Sequence, residues 1–234
     1  MRHIRELMAL AADAYPNDQF FVGVRENLIN FPEVRPSYLA YERAMTTLDP
    51  ASWTELKLKA IAHFKDHRKG QLKQGFFNQL NDAFAYQHLK KRGYRDVKIL
   101  REVGKTQPDI EYNDRTQNCY CEVKTLSISD DIIVRRQNCQ GSLEHDYTAL
   151  SEGFLNKLRK ALDVADGQIK ARGKVGLIYV VVHFDDITLA YYDAYRRQIA
   201  KCLNSHTAPN IFVKVGLLGR RHIRKGQYAA ASIT

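Results

Sequence analysis

The chain predicts an α/β fold, a mixed central sheet covered by helices, on three observations. From Gln74 onward, helical and strand patterns follow the order helix, strand, strand, strand, helix, strand. The apolar run from Gly176 to Val182 reads as a buried strand and is too short to cross a bilayer. Residues 1–70 carry helical periodicity alone, divided by Pro16, Pro32, Pro36 and Pro50. This predicts a helical N-terminal region at 1–70 and an α/β domain at 71–234 with a basic C-terminal end.

Each element has its own signal. Ile4, Leu7, Met8 and Ala11 follow the helical period, and Phe20, Val24 and Leu28 do so more loosely. Asp49-Pro50-Ala51-Ser52-Trp53-Thr54-Glu55 starts a helix: proline suits the first turn, and Ser52 with Glu55 spells a capping box. Gln74 to Arg92 is a helix with Phe77, Leu80, Phe84 and Leu89 toward a core, closed by Gly93. Arg95 to Val103 is a first strand. Pro108 to Tyr112 and Cys119 to Leu126 form a hairpin around Asn113-Asp114-Arg115. Residues 127–148 are polar and irregular. Ser151 to Ala171 is a helix with Phe154, Leu158, Leu162, Ala165 and Ile169 on one face. Val175 to Phe184 is a strand, Thr188 to Leu203 a helix, and Ile211 to Leu218 a last strand before the basic end.

Of the 234 residues, 44% are hydrophobic and 26% charged, which excludes a disordered chain. The N-terminal stretch is interrupted by Arg5 and Glu6 and lacks a signal-peptide apolar core, so a cytoplasmic protein without membrane association is expected. The four cysteines fit a compartment that keeps thiols reduced. Cys119 and Cys121 share a strand face, but the second ligand pair of a structural zinc site is missing, so buried thiols are expected. The net charge of +10 is uneven: from Ala194 to Thr234 there are eight Lys or Arg and no Asp or Glu. Such asymmetry favours a polyanionic partner, through release of counterions condensed on phosphates, with a solvated basic tail as the plain alternative.

The stretch QPDIEYNDRTQNCYCEVKTL, residues 107–126, puts Asp109, Glu122 and Lys124 on the expected hairpin. A surface hairpin can scatter such charges. Phosphodiester hydrolysis needs a metal to activate water and neutralise charge on the phosphate, and Mg²⁺ takes carboxylate oxygens and waters. Two carboxylates on adjacent strands can supply them. Alternation places Lys124 on the face of Glu122, where an ammonium can orient water or stabilise the transition state. Val123 would face the core and offer its carbonyl to the metal. Pro108-Asp109 is the one Pro-Asp pair in the sequence, and the other Glu/Asp-x-Lys triplets, Glu55-Leu56-Lys57 and Asp96-Val97-Lys98, have no such pair upstream.

Pro108-Asp109 followed by Glu122-Val123-Lys124 resembles the PD-(D/E)xK nuclease superfamily, which includes restriction endonucleases, Holliday-junction resolvases, phage exonucleases and some RNA-cutting toxins. The resemblance covers roughly Gln74 to Phe184. It implies a restriction-endonuclease-like αβββαβ core, Asp109 and Glu122 binding Mg²⁺ with Mn²⁺ as a substitute, and Lys124 assisting catalysis. Many members carry a glutamate on the first core helix, shortly before a glycine; Asn78 to Ala83 holds none. Asp82 fits by distance to Gly93, Asn81 by apolar register. Asp82 is either a third carboxylate for the metal or an exposed helix aspartate. Some relatives place a glutamine on the helix after the hairpin with a tyrosine four residues on. Gln168 sits on that helix but is followed by Arg172, so it either holds the site or a phosphate, or is solvated.

Arg135, Arg136 and His145 lie in the polar stretch after Lys124 and suit a substrate-facing loop. Arg220, Arg221, Arg224 and Lys225 form the densest basic cluster, able to grip a nucleic-acid backbone or simply to solubilise the end. His63 and His67 have a zinc-compatible spacing, but Phe64 stands where a zinc protease needs its glutamate, and no phosphate-binding GxxxxGK[S/T] occurs. The expectation is a metal-dependent nuclease, foremost a DNA endonuclease. An RNA-directed toxin-type nuclease and a non-cutting nucleic-acid-binding module on the same fold stand as alternatives. The partner is nucleic acid, DNA ahead of RNA, and a homodimer would let two copies cut both strands.

Overall fold

The computed structural model describes residues 1–30, 32–67, 72–103, 107–127, 149–184, 191–219 and 221–226. The architecture is mixed α/β, and the chain divides into two units, Met1–Asn118 and Cys119–Thr234.

The first unit contains α1 (Arg2–Ala14), α2 (Phe20–Asn30), α3 (Arg35–Met45), α4 (Pro50–Ala62), α5 (Gln74–Lys91), β1 (Arg95–Ile99) and β2 (Ile110–Asn113). In α1 the expected stripe is buried at Ile4, Leu7 and Ala11. Its first turn is capped from another helix: Glu42 of α3 accepts from the amides of His3 and Ile4, both at 3.0 Å. Burial opposes the charge of Glu42, but those amides hold its carboxyl below the usual range. The start of α4 differs from the expected capping box. Asp49 is the N-cap, accepting from the Ser52 amide at 2.9 Å and the Ser52 hydroxyl at 2.8 Å. Proline at the first helical position leaves the preceding residue as the cap. Ser52 is buried instead and its Oγ accepts from the Ile99 amide at 3.1 Å.

Helix α5 buries Phe76, every residue from Leu80 to Tyr86, and Leu89. One amphipathic stripe cannot bury consecutive residues; α5 does so because α3, α4 and β1 all pack against it. Phe76, rather than the expected Phe77, reaches the core, joining Phe64 at 5.6 Å between ring centroids. Gly93 ends the helix as expected, with φ 79°, while the Tyr94 amide returns to the Leu89 carbonyl at 3.2 Å. Strand β1 is shorter than expected and pairs antiparallel with β2.

The second unit contains β3 (Asn118–Ser127) from Cys119 on, α6 (Glu152–Lys170), β4 (Gly176–His183), α7 (Tyr192–Ser205), β5 (Ile211–Val215) and β6 (His222–Arg224). Strands β3, β4 and β5 run parallel, and β6 returns antiparallel to β5. Ile178, Val180 and Val182 of β4 meet Ile211, Val213 and Val215 of β5 in one core with Leu158, Leu162 and Ile169 of α6 and Ile199 and Leu203 of α7. Each fully buried side chain of this kind contributes about 1.5–3 kcal/mol. Gly176 is required by register: it pairs with Tyr120, and a Cβ there would lie 1.9 Å from the Tyr120 carbonyl oxygen. At the end of β4, burial and then the charge of Lys214 push the His183 imidazole down to about 4. Strand β6 is absent from the sequence expectation because its residues read as a charged tail; an edge strand needs few apolar positions, and Ile223 supplies one. Among the described residues, no helix is long and apolar enough to cross a membrane.

Candidate functional site

The expected site residues fall into two clusters, each within its own unit. In the first, α4 turns Leu56, Lys59 and Ala60 inward. The ammonium of Lys59 donates to Asp82 Oδ2 of α5 at 2.7 Å and to Asp109 Oδ1 at 2.9 Å. Asp109 lies just ahead of β2, and its carbonyl accepts from the Leu100 amide at 2.8 Å, which fixes its backbone beside β1. The Lys59 and Asp82 side chains are 6% and 4% exposed, against 20% for Asp109. Burial opposes the charge of Lys59, but attraction to Asp82 and then Asp109 holds its ammonium well above the ordinary lysine range. Burial pushes the Asp82 carboxyl up to about 7, against the pull of Lys59 and with the charge of Asp109 adding to the push. Asp82 is therefore not the exposed helix aspartate weighed above, and its Oδ2 faces a lysine.

The second cluster is built on β3. Glu122 and Lys124 alternate onto one face, in register with Ile178 and Val180, whose side chains belong to the core under α6. Lys124 donates to Glu122 Oε1 at 2.6 Å and to Gln168 Oε1 of α6 at 2.8 Å. Glu122 is 3% exposed and Lys124 23%. Gln168, set one residue before the buried Ile169, thus reaches the motif lysine and is not a merely solvated side chain. Val123 is half-buried, in register with Tyr179. Cys119 and Cys121 are buried thiols, as expected.

An ammonium has three N–H donors, and two of Lys124's are accounted for by Glu122 and Gln168. Each of the two carboxylates, at 109 in the first unit and at 122 in the second, is a hard oxygen donor of the kind Mg²⁺ prefers. Among the described residues, no three His, Cys, Asp or Glu side chains are gathered as a ready-made metal cage. Asp82 is committed to Lys59.

The remaining candidates are spread out. Arg135, Arg136, His145 and Arg220 lie outside the described residues. Arg221 and Arg224 are exposed and hold their guanidinium groups 5.7 Å from the rings of Tyr192 and Phe212. Lys225 gives its ammonium to the carbonyls of His206 and Ala208, the latter at 2.8 Å, which fastens the end of α7. His63 and His67 do not share a helix turn, because α4 ends at Ala62; His63 Nδ1 meets Asp66 at 2.5 Å and Nε2 meets Glu102 at 3.1 Å.

Lys59 was not among the residues singled out by sequence. Its signal is a lysine three residues after Leu56 on the inward stripe of α4, where a charged group must find a partner. Compared with known proteins, the chain matches no family model, no curated protein and no solved structure.

Proposed function

We propose that the protein is a metal-dependent nuclease that hydrolyses phosphodiester bonds, most simply in DNA as an endonuclease. The observation that carries this reading is Lys124, held 2.6 Å from Glu122 and 2.8 Å from Gln168 in the Glu-Val-Lys triplet downstream of Pro108-Asp109. The resemblance assigns Asp109, Glu122 and the Val123 carbonyl to Mg²⁺ or Mn²⁺ as oxygen ligands. When bound, the ion supplies an activated water and charge neutralisation at the phosphate. Lys124, its ammonium aimed by a carboxylate and an amide, donates its remaining N–H to the attacking water or a phosphate oxygen. Gln168 keeps that ammonium from swinging onto Glu122 alone. Arg221 and Arg224 bind the polymer backbone without reading its sequence.

Plasmid, linear duplex, single-stranded DNA and RNA, each with and without Mg²⁺, form the test. Cleavage that needs the ion and disappears in Lys124→Ala supports the reading; full cutting in EDTA or in that variant removes it. Cutting confined to RNA would move the substrate to the toxin-type alternative. The engagement of Asp82 by Lys59 favours one second reading, a module that binds nucleic acid without cutting. Salt-dependent binding with no metal-stimulated cleavage of any polymer would establish it.

A further inference from the structure

Lys59 lies outside the Pro-Asp and Glu-x-Lys signature, yet its ammonium ties Asp82 to Asp109. Lysine is seldom sealed from water unless it is paired, and here one ammonium serves two carboxylates of different exposure, 4% for Asp82 and 20% for Asp109. The deeper carboxylate fixes the ammonium, and the ammonium fixes the shallower one. A short carboxylate side chain held by a charge-assisted hydrogen bond at 2.9 Å loses most of its freedom to rotate. Asp82 is 4% exposed with its Oδ2 taken by that ammonium, whereas Asp109, at 20%, keeps a side open to solvent from which a divalent ion can approach.

Resting on the nuclease reading above, we infer that Lys59 is a positioning residue: anchored by Asp82, it sets the carboxylate of Asp109, so that Asp82 acts through Lys59 and not on a metal. This accounts for a first core helix that offers aspartate where glutamate is common. The chain needs a short anchor there for the lysine of α4, not a long arm toward an ion.

Full-length wild type, Asp82→Asn, Lys59→Met and the double variant are compared for cleavage rate at saturating Mn²⁺ and for Mn²⁺ affinity by calorimetry. Losing a support behind a metal-ligating carboxylate lowers activity or metal affinity about 10–100-fold, and that is the fall expected for Asp82→Asn. Adding Lys59→Met to Asp82→Asn should change either quantity by less than about threefold, because residues acting through one another are not additive. That comparison survives even if Lys59→Met alone does not fold, since the double variant removes both members of the buried pair. A further loss of about tenfold or more in the double variant would overturn the inference, because two residues acting independently add. So would an Asp82→Asn protein that cuts and binds Mn²⁺ like wild type. If wild type itself neither binds Mn²⁺ nor cuts any polymer, the nuclease reading falls first and this inference with it. If wild type does both and the losses add, only this inference falls.

Discussion

Lys59 in the first unit and Lys124 in the second each donate to two side-chain oxygens at similar distances, 2.7 and 2.9 Å against 2.6 and 2.8 Å. They differ in charge and in access. Lys59 is 6% exposed between two carboxylates, whereas Lys124 is 23% exposed between a carboxylate and a neutral amide. The first arrangement carries a surplus negative charge in a dry place, which is why burial drives Asp82 toward its protonated form. The second balances one ammonium against one carboxylate and keeps the ammonium within reach of solvent. Similar distances therefore sit in different settings: one lysine is sealed among its partners, and the other keeps access to solvent.

Breaking each lysine in turn should expose that difference. The largest effect on stability belongs to Lys59→Met, which leaves two carboxylates without their shared cation and should cost about 3–5 kcal/mol in denaturant unfolding. Lys124→Met, tested the same way, should cost less, about 1–3 kcal/mol, because it leaves one buried carboxylate, Glu122, without its ammonium rather than two. For cleavage the order reverses. Lys124→Ala should lower the rate about 10²–10³-fold, as loss of one transition-state donor does, with the circular dichroism spectrum unchanged. A Lys124 variant that unfolds like the Lys59 variant would erase the distinction.

A pH titration sharpens the contrast from another side. The His183 imidazole is held near 4, below its unfolded value of 6.5, so the unfolded chain binds more protons between those pH values. The stability His183 contributes is complete above pH 6.5 and is lost as pH falls through 4. Allowing for its partial exposure, the loss is on the order of 1–2 kcal/mol. His183→Gln should flatten that part of the stability profile, and an unchanged slope would show that the imidazole titrates normally. The smallest effect is expected at the rim. Arg221→Ala and Arg224→Ala should each reduce the slope of log affinity against log salt by about one while weakening all sequences alike.

Much of the fold was legible because it rests on local signals. The Gly93 stop, the apolar run of β4 and the stripe of α6 each depend on neighbours within a few residues, and each lies where the sequence places it. What could not be read depends on partners distant in sequence. Asp82 looks like one more polar residue on a helix until α4 supplies Lys59 from 23 positions away. Gln168 looks solvated until β3 brings Lys124 to it across 44 residues. Phe76 rather than Phe77 enters the core because Phe64 and Phe21 are there to meet it, at 5.6 and 5.5 Å. The motif pair Glu122 and Lys124 was readable because strand alternation alone puts both on one face.

Strand β6 carries a consequence of a different kind. It is three residues long, pairs antiparallel with β5, ends on the exposed Arg224 and is preceded by the exposed Arg221. A short margin guarded by positive charge resists the addition of a strand from another molecule, which would need a longer neutral template. The same two arginines offered above as grips for a polyanion are thus expected to guard this edge against strand addition as well. Neutralising both should make the protein precipitate more readily at high concentration, even where no nucleic acid is present.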